Sequence, residues 1–186
     1  MIQPIDLTNH RLLAVSRASL TALRLAVMRE AGPAGAACFQ EAGYAGGDAI
    51  FESFRQWLRG QGKADPDELD VSEFQHRASL YFKALGWGTL AVSVLNEMVA
   101  AVDSADWHEA EPGGGLDQPS CHFTTGMFAD FFGRISDAPL AVLEVECRSM
   151  GAPRCRCLLG NSDVLQYVFT EVEKGVAYDE AVAALV

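Results

Sequence analysis

The chain has 186 residues, 49% hydrophobic and 21% charged, which excludes a disordered or fibrous protein and bounds it as one globular domain with a sizeable core. A formal net charge of −11 at pH 7 excludes non-specific nucleic-acid binding and charge-driven attachment to an anionic membrane. No apolar run is long enough to span a bilayer, and MIQPIDLTNH lacks the basic-then-apolar order of a secretion signal.

Residues 5–9 read as a lead-in, with Thr8 or Asn9 placed to cap the first helix. Residues 10–31 are expected as one long helix with a broad apolar surface that includes Leu13, Leu20, Leu23 and Leu25, ended by Gly32-Pro33. A terminal helix this apolar suits packing against a second copy of the chain, so a homodimer is one expectation and burial within its own domain the other. Residues 34–60 form a second helical region carrying Phe39, Ile50, Phe54 and Trp57. Its Gly43, Gly46 and Gly47 are read as a break between two helices, in preference to close helix packing or a mobile segment. After the polar stretch GQGKADPDELD, residues 71–84 make a short amphipathic helix presenting Phe74, Leu80, Tyr81 and His76.

GWGTLAVSVL then reads as a strand and EMVAAVDSAD as its partner, with Leu90, Val92 and Val94 on one face. Trp107-His108 and the glycines 113–115 form a loop with two readings, a lid over a ligand site or a surface loop with its tryptophan pinned in the core. From Cys121, the apolar positions Phe123, Met127, Phe128, Phe131, Phe132 and Ile135 repeat at helical spacing, and Pro139 ends that helix. LAVLEVEC, a turn at Met150 to Pro153, and Arg154 to Leu159 complete a hairpin. SDVLQYVFTEVEKG is a helix with Ser162 as its cap, and AYDEAVAALV closes the chain as a short helix. Two strands before Cys121 and two after it give a four-stranded antiparallel sheet covered by helices, an α+β fold. The expected organisation is a single domain over 1–186, with N-terminal helices in 1–62, a ligand- and zinc-binding core in 63–160 and C-terminal helices in 161–186.

Four of five cysteines lie between Cys121 and Cys157. Their thiols fit three uses: ligands of one metal ion, disulfides, or small core residues. An odd cysteine count without a secretion signal favours a reducing cytoplasm, and metal over disulfides. No glycine-rich phosphate loop follows a strand, so neither nucleotide hydrolysis nor a nicotinamide site is supported, and the chain is read as a non-enzyme.

The pattern Pro-Ser-Cys-His-Phe-x-x-Gly at 119–126, followed by Glu144-x-x-Cys147-x-x-x-Gly151-x-x-x-Cys155, resembles the 4-vinyl-reductase domain family. The resemblance is best over residues 70–160. It implies a fold shared with vesicle-tethering complex subunits and NO-signalling ligand-binding domains, and a small-molecule-binding role as in the sensors of phenol- and toluene-responsive activators. It also implies a structural zinc held by Cys121, Glu144, Cys147 and Cys155. Glu144 and Cys147 are an odd number of residues apart, so a regular strand points them to opposite faces; a bulge or strand end near Cys147 is required. His122, Glu146 and Cys157 are the reserve ligands if that bulge is absent. In the aromatic sensors a tryptophan and a histidine hold the phenol hydroxyl, which corresponds here to Trp107 and His108. His76, Phe54, Phe82 and Trp87 are the other candidates for lining a hydrophobic or aromatic ligand. Alternatives are a carrier or chaperone of a tetrapyrrole precursor and a protein-assembly subunit; a separate signalling or biosynthetic partner protein is expected, because no output region is attached.

Overall fold

A computed structural model describes residues 4–7 and 12–185. Six helices and four strands run in the order α1 (Arg17–Ala31), α2 (Ala34–Arg59), α3 (Val71–Ala84), β1 (Ala91–Val94), β2 (Val99–Ser104), α4 (His122–Ser136), β3 (Ala141–Glu146), β4 (Cys155–Gly160), α5 (Ser162–Glu173) and α6 (Tyr178–Ala183). The strands form one antiparallel sheet in the order β1-β2-β4-β3. Its inner face, with Val102, Cys157 and Leu159, packs on the aromatic core beneath α2, α3 and α4. Its outer face, with Val99, Ala101 and Leu158, is covered by Leu165 and Val168 of α5 and Ala181 and Val182 of α6. The α+β architecture expected from the sequence is the one observed. Among the described residues no helix is long and apolar enough to cross a membrane.

The N-terminal helix starts later than expected. Ser16 caps α1 by accepting from the Ser19 amide, and residues 12–15 are irregular; the caps expected at Thr8 and Asn9 lie outside the described residues. The apolar positions of α1 are largely unburied: Leu23 and Leu25 are 56% and 57% exposed, and the sole buried residue of the helix is Arg24. Burial of that surface within its own domain, one of the two readings, is not observed. At the other end, Asn161 takes the cap of α5 that Ser162 was expected to fill.

The break expected at Gly43, Gly46 and Gly47 is absent: α2 runs unbroken from Ala34 to Arg59. Two of these glycines serve the alternative use, close helix packing. A Cβ on Gly43 would sit 2.0 Å from the Phe123 carbonyl oxygen, and one on Gly47 would sit 2.5 Å from the Asp130 side chain. From the other side, a Cβ on Gly126 of α4 would sit 1.9 Å from the Gln40 carbonyl oxygen. The two backbones therefore touch where the helices cross, and α2 lies along much of α4. That crossing fixes the height of α4, and with it the position of Cys121, over the sheet.

The first hairpin is shorter than read, because Gly86 and Gly88 adopt positive φ (88° and 128°) and hold residues 86–90 out of the strand. Leu90 and Val92 meet the aromatic core as alternation predicts, but Val94, at the open sheet edge, is 73% exposed. Helix α4 ends at Ser136 with Asp137 in the left-handed region at φ 49°, two residues before Pro139.

Alanine at the glycines of this crossing separates packing from propensity. Gly126→Ala forces two backbones apart and should cost more than the ~1–3 kcal/mol of ordinary overpacking. Gly46→Ala has nothing within 4 Å of the added methyl and should gain about 0.5–1 kcal/mol. Urea denaturation of the two variants checks both signs.

Candidate metal centre and the aromatic core beside it

Four chain segments deliver one donor each. Cys121 is the N-cap residue of α4, Glu144 lies in β3, Cys147 opens the short 3-10 turn Arg148–Met150, and Cys155 begins β4. Antiparallel pairing sets Glu144 opposite Cys157 and Glu146 opposite Arg156, so Val145 is an extra residue bulged out of the ladder. The bulge reverses the alternation after Glu144. Glu144 and Cys147 then share the inner side, and Glu146 goes to the outer face, where it receives Arg154 and the Tyr178 hydroxyl. The bulge that the spacing demanded is present, and Glu146 is accordingly outside the cluster.

The four donor atoms lie within 4.8 Å of one another, and all four residues are buried. The Cys121 sulfur is 3.9 Å from that of Cys147 and 3.8 Å from that of Cys155. A tetrahedral ion with metal–thiolate bonds of about 2.3 Å spaces its ligands about 3.8 Å apart. Disulfide bonding is absent at all five cysteines. Glu144 Oε2 accepts from the Cys121 amide at 2.8 Å, whereas Oε1 is buried without a hydrogen-bond partner. An orphaned buried carboxylate oxygen is costly unless a cation completes it, so the residues present fit a metal ion. Burial pushes the Glu144 carboxyl up to about 8. The Cys147 thiol is pushed down by Cys121 and Cys155 beside it, helped by the backbone amides of Ser120 and Ser149. A divalent cation is the group that lets all four donors deprotonate together.

The reserve ligands stay out of the cluster: His122 is half-buried on α4, and Cys157, fully enclosed, faces the aromatic core. Among the ligand-site candidates, Trp107, Phe82 and Phe54 are buried and Trp87 is half-buried. Trp107 has its ring 5.8 Å from Phe82, 5.7 Å from Trp87 and 5.2 Å from Phe128; Phe54 is reached only through Tyr81 and Phe131. The Trp107 indole donates to Thr124 Oγ1 at 2.7 Å, so the loop at 107–115 has its tryptophan pinned in the core. His108 Nδ1 lies 2.6 Å from the Gly86 carbonyl oxygen, and His76 is exposed on α3, apart from the aromatic core. Between Trp107, Phe128, Thr124 and the cluster cysteines is a cavity of about 10 Å³, which is about one water in size. A more open groove of about 300 Å³ runs between α2 and α4, lined by Gln40, Tyr44, Thr125 and Val142 among others.

Sequence reasoning missed a set of polar residues around Cys121. Glu109 is 4% exposed and accepts from the amides of Phe123 and Thr124 and from the Thr124 hydroxyl, closing the first turn of α4 from outside the helix. Ser149, fully buried, accepts from the Glu111 amide and the Ser120 hydroxyl. Neither shows a periodic signal, because each is defined by a loop folding onto a turn.

Residues 105–161 match the sequence model of the vinyl-4-reductase (V-4-R) domain, a span that holds all four cluster residues together with Trp107 and His108. The resemblance to the 4-vinyl-reductase domain carried by residues 119–155 falls inside that span. Three solved structures are similar in fold. The phenol-responsive sensory domain of the transcription activator PoxR, with phenol, has a TM-score of 0.61 at 16% identity, covering 88% of this chain and 82% of that one. A trafficking protein particle complex subunit 3 from Naegleria fowleri, covalently bound to palmitic acid, has a TM-score of 0.60 at 11% identity, covering 83% and 96%. A vinyl-4-reductase family protein from Methanocaldococcus jannaschii has a TM-score of 0.53 at 14% identity, covering 82% and 88%. No curated protein matches the chain in sequence.

Burial pushes the Glu109 carboxyl from its usual 4.5 up to about 7, against the bonds from Thr124 and Phe123 and the nearby Arg24. A carboxyl raised on folding contributes stability that is full below its unfolded pKa and lost as pH rises through the folded one. The urea midpoint should therefore fall between about pH 5 and about pH 8, with a smaller fall in Glu109→Gln. Equal slopes in the two proteins would contradict the assignment.

Proposed function

We propose that the chain is a stand-alone module that binds and senses a small hydrophobic or aromatic ligand, with a structural zinc held by Cys121, Glu144, Cys147 and Cys155. The observation that carries the reading is the convergence of three thiols and an under-bonded carboxylate at the start of α4, beside the rings of Trp107 and Phe128. Thiolates with one carboxylate are a zinc donor set, and four protein donors close its shell, which suits a structural ion and leaves no position for catalysis. Zinc so held clamps α4 to the sheet, and the module acts by binding, without turnover. The match to the vinyl-4-reductase domain supports the sensing role, as does a fold neighbour crystallised with phenol. A second neighbour, which carries a palmitic acid, supports the hydrophobic class of ligand.

The ligand site is the ring cluster of Phe82, Trp87 and Trp107 with His108 at its edge, and Phe54 behind it. A cavity of about 10 Å³ does not admit a benzene ring, which occupies engineered cavities of about 150 Å³. Binding therefore opens the core, and the loop that carries Trp107 and His108 moves with it. Such an opening is what a sensor needs, since a ligand shifts a conformational equilibrium only by binding one state better than the other. The exposed leucines of α1 supply a homodimer contact through which the change reaches a second copy or a partner protein.

Metal analysis of the purified chain should find about one zinc, lost in Cys155→Ser together with several kcal/mol of stability. Phenol or decanoate should give a saturable change in tryptophan emission and a raised melting temperature. No response to either compound in a zinc-loaded chain would remove the ligand reading and leave the zinc intact. Light scattering at the 20.0 kDa mass of one chain would remove the dimer.

A further inference from the structure

Helix α1 is held to the rest of the molecule in an unusual way. Its leucines face outward, and its one buried residue is a charged one, Arg24, 5% exposed. The guanidinium passes into the loop that leads to Cys121. Nη1 donates to the carbonyl oxygens of Glu109 (3.2 Å) and Ser120 (3.3 Å) and to the Ser120 hydroxyl (3.3 Å), and Nη2 donates to Glu111 (3.3 Å). Thr21, one turn earlier, donates to the other Glu111 oxygen at 2.8 Å.

Ser120 connects this anchor to the metal cluster. It precedes the ligand Cys121, its hydroxyl donates to Ser149 at 2.9 Å, and the same oxygen lies 3.7 Å from the Cys147 sulfur. The backbone amides of Ser120 and Ser149 both donate to that sulfur. Arg24 is thus one residue removed from two metal ligands, and its acceptors are in place only while the loop at 109–120 and the turn after Cys147 hold their cluster geometry. A buried guanidinium that loses such acceptors is expensive to keep. Electrostatics run the same way, because three thiolates and a carboxylate outnumber the charge of a divalent ion, and Arg24 is the buried cation beside them.

We propose that α1 is a metal-coupled arm: Arg24 ties the helix to the loop that carries Cys121, so that metal occupancy and attachment of α1 stabilise each other. Loss of the metal releases α1 and frees its leucine face, and loss of the anchor weakens the metal site. The inference rests on the metal reading above. By linkage the two effects are equal in size, and the outer partners of metal ligands are commonly worth about tenfold or more in affinity.

The test uses the full chain. Zinc affinity is measured by chelator competition in the native protein, in Arg24→Gln and in Arg29→Gln, which removes an exposed charge of the same helix. Amide exchange across residues 17–31 is followed in loaded and chelated protein, with α5 on the outer face of the sheet as reference. Arg24→Gln should lower zinc affinity about tenfold, and Arg29→Gln should leave it unchanged. Chelation should speed exchange in α1 by a similar factor while α5 stays protected. Should chelation unfold the whole chain, the affinity comparison decides; should Arg24→Gln fail to fold, the exchange comparison decides. A chain that holds zinc equally well with and without Arg24, or whose α1 protection ignores the metal, overturns the coupling alone. A chain that binds no metal overturns the metal reading with it.

Discussion

The bulge at Val145 is the constraint on which the site depends. A strand presents alternate residues to opposite faces, so a carboxylate and a thiolate three residues apart cannot meet on one ion while the ladder is regular. One extra residue between Glu144 and Glu146 resolves this and has two consequences. It turns Cys147 inward toward Cys121 and Cys155, and it turns Glu146 outward into a network with Arg154, Arg156, Asp103 and Tyr178. That network spans three strands and reaches α6, so the geometry of the inner cluster and the docking of the last helix are set by the same irregularity.

The second determinant is the contact between α2 and α4. Gly43 and Gly126 let the two backbones approach to a separation that no Cβ would permit, and this seats α4 deeply enough for its rings to join one continuous aromatic core. The N-terminus of α4 is then the point where three systems meet. Cys121 belongs to the metal cluster, Thr124 receives the Trp107 indole, and Glu109 satisfies the amides of the first turn. A displacement of Trp107 is therefore felt at the helix terminus beside the cluster, through hydrogen bonds and not through packing alone. This arrangement gives a ligand among the rings a physical route to the metal, and Arg24 continues the route to α1.

The main elements were legible in the sequence because their determinants are local. Period-3.6 apolar spacing located α3 and α4, β-branched runs located the strands, and the turn at Met150 to Pro153 paired β3 with β4. Even the bulge followed from counting residues between Glu144 and Cys147, once both were required at one ion. The α2 glycines were misread because a helix break and a tight helix crossing share a local signature; only the position of Phe123 on another helix distinguishes them. The long N-terminal helix was over-extended for a similar reason, since leucine spacing continues upstream of the true cap at Ser16.

The sequence alone determined the α+β class, the helix-to-hairpin unit around the cysteines and the identity of the four metal-ligand candidates, because each depends on residue type and on spacing along the chain. Tertiary structure decided that the four donors converge within 4.8 Å, that Trp107 is pinned by Thr124, and that the aromatic interior is closed to about 10 Å³. It also decided that an arginine, and not the leucines around it, holds α1 in place. These are relations between segments far apart in the chain, fixed by which loop folds over which helix terminus. No periodicity in the amino-acid order records them.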